Sequence, residues 1–149
     1  MTQLISEAAI RAVNKELLNT DGISSDTIDN NSLNAQIEAF AMVAHLYDID
    51  EINSSNLPSE LELAIKRLAA GQTIIDEYPN DDNIVKIGMS YRSSATELLK
   101  NIISGKRKLV NLDKADIQAT VTRSIVAKNS AIDMAVNTFI DSIQNWGLD

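Results

Sequence analysis

The chain has 149 residues, 13 basic against 21 acidic, a formal net charge of -8 and no cysteine. That length accommodates one domain with its own core, and the missing cysteines exclude disulfides, thiolate nucleophiles and zinc–thiolate sites together. The acidic balance argues against a surface that grips nucleic-acid phosphates, although an acidic wall can line a channel through which nucleic acid slides. With 4% aromatic residues, Ala, Ile, Leu and Val must fill the core, which favours helices packed side by side. No run approaches the length of apolar residues that spans a bilayer, and MTQLISEAAIR lacks the basic start and apolar stretch of a signal peptide. We therefore expect cytosolic synthesis and no membrane span.

In chain order, the first predicted helix covers Ser6 to Leu18, with Ala9, Ile10, Val13, Leu17 and Leu18 on one stripe. NTDGISSDTIDNNS follows as a polar loop without apolar period, ending in Asn31 and Ser32, both good N-caps. The second helix is predicted over Leu33 to Tyr47, with Leu33, Ile37, Phe40, Ala41 and Ala44 as its apolar face. DIDEINSSNLP is the next loop. Ser59 with Glu62 forms a capping box for the third helix, whose stripe is Leu61, Ile65, Leu68, Ala69 and Ile75 and which stops at Pro79. Gly71 either weakens the middle of this helix or lets another backbone come close.

Asn80, Asp81 and Asp82 supply caps and first-turn charge for the longest helix, Asn83 to Ser104. Its stripe is Ile84, Ile87, Gly88, Tyr91, Ala95, Leu98, Leu99 and Ile102, and Gly105 suits the left-handed residue that ends a helix. Beyond it IQATVTR alternates in period two, as a short strand or an extended arm. Ser130 and Asp133 then open a last helix with Ile132, Ala135, Val136, Phe139, Ile140, Ile143 and Trp146 on one face. The expected fold is all-α: a small bundle of four to five helices with a long fourth helix and an extended C-terminal arm. The division is a bundle domain over 1–113, then an arm and terminal amphipathic helix over 114–149.

Candidate chemistry is sparse. Lys106, Arg107 and Lys108 follow a helix, whereas a phosphate loop places its glycines and lysine before one. A phosphate loop is excluded; the cations complement the helix dipole or meet an acidic partner or nucleic acid. His45 is the only histidine and has no cysteine to share a zinc site with. Asp21, Asp26 and Asp29 lack the glycine and glutamate positions of a calcium loop. Asp48, Asp50 and Glu51 cluster in a loop with nothing to place them in a pocket. Trp146 and Phe139 need cover, from the bundle itself or from a neighbouring subunit or partner. No nucleophile–base set emerges, no cofactor or metal is expected, and the reading is an interaction domain rather than an enzyme.

One block carries a family likeness. LPSELELAIKRLAAGQTIIDEYPND, then YRSSATELLKNIISGKRKLVNLD, resembles the head–tail connector proteins of tailed phages, also called adaptor, head-completion or neck proteins. The pattern is a Leu-Pro opening a helix, an aspartate-containing turn, and a long helix with Ala95, Leu98, Leu99, Ile102, Gly105, Lys106 and Leu109 at its recurrent positions. AQIEAFAMVAHLY resembles the preceding helix of that family, with Leu46-Tyr47 where an Arg-Tyr pair is usual. The likeness covers about half the chain and does not reach the last forty residues. It implies an all-α virion protein of the neck, made in the host cytoplasm. Such a protein forms a homo-oligomeric ring, commonly a dodecamer, beneath the portal protein, with tail or neck proteins as further partners. DNA passes through the ring without specific binding. The partner interface then falls on Phe139, Ile140, Ile143 and Trp146, with Lys106, Arg107 and Lys108. Alternatives are a tail-completion or tail-terminator component, or a small cytoplasmic helical regulator or chaperone.

Overall fold

The structure, a computed structural model, describes residues 1–109. The predicted arm, the terminal helix and its Phe139, Ile140, Ile143 and Trp146 lie outside the described residues. The all-α expectation holds: among the described residues five helices run in the order α1 (Glu7–Arg11), α2 (Lys15–Leu18), α3 (Ser25–Val43), α4 (Ser59–Glu77) and α5 (Asp82–Ile103). α4 and α5 form the closest pair, α3 packs mainly on α4, α1 lies against α3 and α4, and α2 against α4 and α1.

The first predicted helix is in fact two. Asn14 interrupts it, because its short amide serves the backbone better outside a helix than within one. Its Oδ1 accepts from the Leu17 N–H at 3.2 Å and starts α2. The apolar residues were correctly placed, with Ile10 and Leu18 fully buried. Arg11 staples the break. Its Nε donates to Glu7 Oε1 at 2.6 Å, while its terminal nitrogens donate to the carbonyls of Leu18 at 2.5 Å and Ile23 at 2.9 Å.

The largest departure is α3. Most of the stretch expected to be loop is its N-terminal half, and Ser24 is the N-cap, accepting from the Thr27 N–H at 3.2 Å. Asn31 and Ser32 are not caps but buried residues inside the helix. The expected face is rotated as well: Ile37 is 47% exposed and Ala41 is exposed, whereas Ile28, Ala35, Ala39, Phe40 and Val43 are buried. Buried polar side chains complete that inner face, so an apolar period could not reveal it. α3 ends at Val43 rather than near Tyr47, and a turn follows.

α4 begins as expected but not by the expected device. Pro58 is the N-cap and no side chain caps the helix; Ser59 Oγ donates to Glu60 Oε2, and Glu62 pairs with Lys66 one turn on. Proline cannot offer a side-chain acceptor, but its fixed φ launches the helix, and its carbonyl takes the Glu62 N–H at 2.9 Å. Ile74, not Ile75, is the fully buried residue of the last turn. The helix ends before Pro79, as it must.

Asp81 caps α5, its carboxylate accepting from the N–H groups of Asn83 and Ile84. Leu98, Leu99, Ile102 and Ala95 face the core, while Ile87 is 40% exposed and so leaves the stripe. The α4–α5 crossing is made by Gly71 and Gly88. A Cβ on Gly71 would lie 2.5 Å from the Gly88 carbonyl oxygen, and one on Gly88 would lie 2.7 Å from that of Gly71. Gly71 therefore serves close approach: no side chain fits between these backbones.

Candidate functional site

The basic turn after α5 grows directly from the helix end. Gly105 adopts φ +77°, its N–H donates to the Ile102 carbonyl at 3.1 Å, and the Arg107 N–H donates to the Asn101 carbonyl at 3.0 Å. The last carbonyls of the helix are thus occupied by backbone, and Lys106, Arg107 and Lys108 are displayed to solvent. None of the three has a carboxylate within ion-pair distance among the described residues. Leu109 then turns inward, 5% exposed, its N–H donating to the Tyr47 hydroxyl at 3.4 Å. The turn is therefore anchored at both ends by apolar burial while its cations stand outward. It presents charge but encloses nothing.

From this turn an open groove of about 900 Å³ follows the outward side of α5, lined by Ile75, Met89, Arg92, Thr96, Lys100 and Lys106 among others. Met89 is 55% exposed, and Ile87 lies near it in sequence on the same helix. Arg92 is held by Glu38 of α3 at 3.2 Å, and Arg67 of α4 donates to Ser94 Oγ at 2.6 Å. The groove mixes cationic, apolar and hydroxyl lining with one carboxylate, Glu97.

The other residues singled out in the sequence do not converge. His45 is exposed in the turn after α3, not on the helix. Asp29 lies within α3 and accepts from Gln3, while Asp48 accepts from the Asp50 N–H in a tight turn at 3.1 Å. Among the described residues no group of three or more His, Asp or Glu could hold a metal ion. Nor is any described helix long and apolar enough to cross a membrane.

What the sequence reading missed is a set of buried polar contacts between helices. Asn31 Nδ2 donates to Thr73 Oγ1 and to Asp76 Oδ2 of α4, each at 3.0 Å, and Thr73 in turn donates to the Ala69 carbonyl at 2.8 Å. Gln36, fully buried, holds the first residues of the chain. Tyr78 and Tyr91 donate through their hydroxyls to the carbonyls of Leu17 and Val13. No buried side-chain polar atom among the described residues lacks a partner. A usable signal did exist: Ile28, Asn31, Ser32, Ala35, Gln36, Ala39, Phe40 and Val43 keep helical spacing once polar residues are admitted to the stripe.

The titration of Glu7 is displaced. The Arg11 guanidinium hydrogen-bonded to its carboxylate holds its pKa below the ordinary 4.5, with a smaller contribution from Ser25. This contact belongs to the staple at α1, not to the basic turn. Comparison with protein-family models, with curated proteins and with solved structures gives no match to this chain.

Proposed function

We propose that the chain is a structural virion protein, a head–tail connector or adaptor that forms a homo-oligomeric ring under the portal. The ring extends the DNA channel and offers the tail a surface to join. One observation carries the reading: the family-like text coincides with one structural unit. Leu57-Pro58 opens α4, the aspartate-containing turn caps α5, and Gly105 to Leu109 closes it. The recurrent apolar positions Ala95, Leu98, Leu99, Ile102 and Leu109 are all buried, so the likeness lies in how the hairpin packs. The net charge of -8 is compatible with a conduit that DNA traverses without adhering. Closed rings use two different faces of each subunit, and the α5 groove with its basic turn is one available face.

On this reading the protein is no enzyme and needs no cofactor. Its partners are portal and tail or neck proteins, its place is the virion neck, and its ring follows a family in which twelve subunits are common. The test is peptide mass spectrometry of purified particles, joined to mass photometry of the chain mixed with the portal protein of the same particle. The chain should be a particle component and should add to the portal as a ring. Absence from particles, or persistent monomers that never co-migrate with portal, would overturn the proposal. Binding to tail-tube protein instead of portal would place it in tail completion.

A further inference from the structure

Charge in this chain is sorted by helix. Residues 16–65, which hold all of α3, carry ten carboxylates and no Lys or Arg. Residues 83–108, which hold nearly all of α5 and its basic turn, carry six Lys or Arg and one carboxylate, Glu97. The net charge of -8 therefore covers two regions of opposite sign on one molecule. Opposite fields of this kind steer bodies together and fix their register.

Each of these two helices also turns apolar surface outward. The inner face of α3 is made by residues such as Ile28, Ala39 and Val43, yet Leu33, Ile37 and Ala41 stand at helical spacing on the other side. Ile37 is 47% exposed, Ala41 is exposed and Leu33 is half-buried. Asp26 falls on this same outer stripe by helical register and is exposed too. On α5, Met89, Thr96 and Lys100 share one stripe at the same spacing, and all three line the open groove. Arg92 in that groove is already held by Glu38, whereas Lys100 and Lys106 are exposed with no carboxylate at ion-pair distance among the described residues. The two outward faces match: each offers apolar surface, one in acidic and the other in basic surroundings.

We infer that the α5 groove receives the outer face of α3 from a second copy of this chain, with Ile37 and Ala41 against Met89 and carboxylates opposite Lys100 and Lys106. The inference rests on the homo-oligomeric part of the reading above and names the two faces used. They are different faces, so each copy keeps one of them free for the next copy, as a closed ring requires. Charge selects this occupant. The α3 region brings carboxylates without a cation and an apolar stripe for Met89, while DNA would bring phosphates towards a body already at -8 and no apolar stripe.

Two full-length double variants test it: Lys100→Glu with Lys106→Glu in the groove, and Asn34→Lys with Ala41→Lys on the α3 stripe. All four positions are exposed, so each variant should keep the wild-type melting midpoint by circular dichroism. In sedimentation velocity at low salt, wild type should associate with rising concentration and dissociate as salt is added. Each variant alone sets like charges face to face and should associate about tenfold more weakly. In the mixture both pairings between unlike copies are of opposite charge, and association should return. Ile37→Ser alters no charge, provides an independent reading, and should weaken association about tenfold through lost apolar contact. Wild type that stays monomeric, variants that associate like wild type, or a mixture that fails to recover would overturn the inference. So would retention of labelled duplex DNA by the groove in place of a second copy. If association is absent and the chain is nevertheless found in particles, the virion reading stands without this contact; association with no chain in particles leaves the contact standing alone.

Discussion

The α4–α5 hairpin and the N-terminal half both bury apolar side chains but differ in how much directional bonding supplements that burial. The hairpin is an apolar seam: Leu61, Ile65, Leu68, Ile74, Leu99 and Ile102 are almost wholly excluded from solvent, and Gly71 with Gly88 brings the backbones together. The N-terminal half also buries large apolar residues, among them Ile10, Leu18, Ile28 and Val43, but it is tied down in addition by directional contacts from Arg11, Asn31, Ser32 and Gln36. Apolar burial is non-directional and tolerates shifts, whereas a buried hydrogen bond fails as soon as one partner moves. The two halves should therefore respond differently to substitution.

The largest effect is expected at the seam. Leu99→Ala should cost about 2–5 kcal/mol, as buried leucines do when a cavity is left behind, read as a shift in the urea midpoint. If Leu99→Ala costs no more than a surface change, the seam is not the main source of stability. Next comes Gly88→Ala, whose single methyl meets the Gly71 carbonyl oxygen and Ile75. Overpacking of that kind costs about 1–3 kcal/mol, and a neutral result would show that the helices can separate freely.

Arg11→Ala should cost about 1–3 kcal/mol through the loss of its contacts to the carbonyls of Leu18 and Ile23. Arg11→Lys should recover only part, because one ammonium cannot span three acceptors. Combining Arg11→Ala with Leu99→Ala sharpens the comparison: additive losses mark the halves as independent, and a coupling above about 0.5 kcal/mol marks them as one unit.

The smallest effect concerns Glu7. Its folded pKa lies below the ordinary 4.5 because Arg11 holds the carboxylate. That contribution is present above the unfolded value and is lost as pH falls through the folded one. Wild type should thus lose slightly more stability than Glu7→Gln below about pH 4.5, measured as melting midpoints across acid buffers. Equal losses in both proteins would show that the pair contributes nothing, as many exposed pairs do.

The sequence by itself determined the helical class, the extents of α4 and α5 and the stops before Pro79 and at Gly105, because these depend on neighbours within a turn or two. It also determined that the cations after Gly105 cannot form a phosphate loop, since order along the chain decides that. Tertiary structure decided the inward face of α3, whereas its start at Ser24 and the break at Asn14 rest on local caps that an apolar period does not register. A buried Asn, Ser or Gln is stable only when a partner far along the chain satisfies it, as Thr73 and Asp76 do for Asn31 and as residues 2–5 do for Gln36 and Ser32. A local apolar period cannot contain that information, because the partner that reverses the cost of burial lies dozens of residues away.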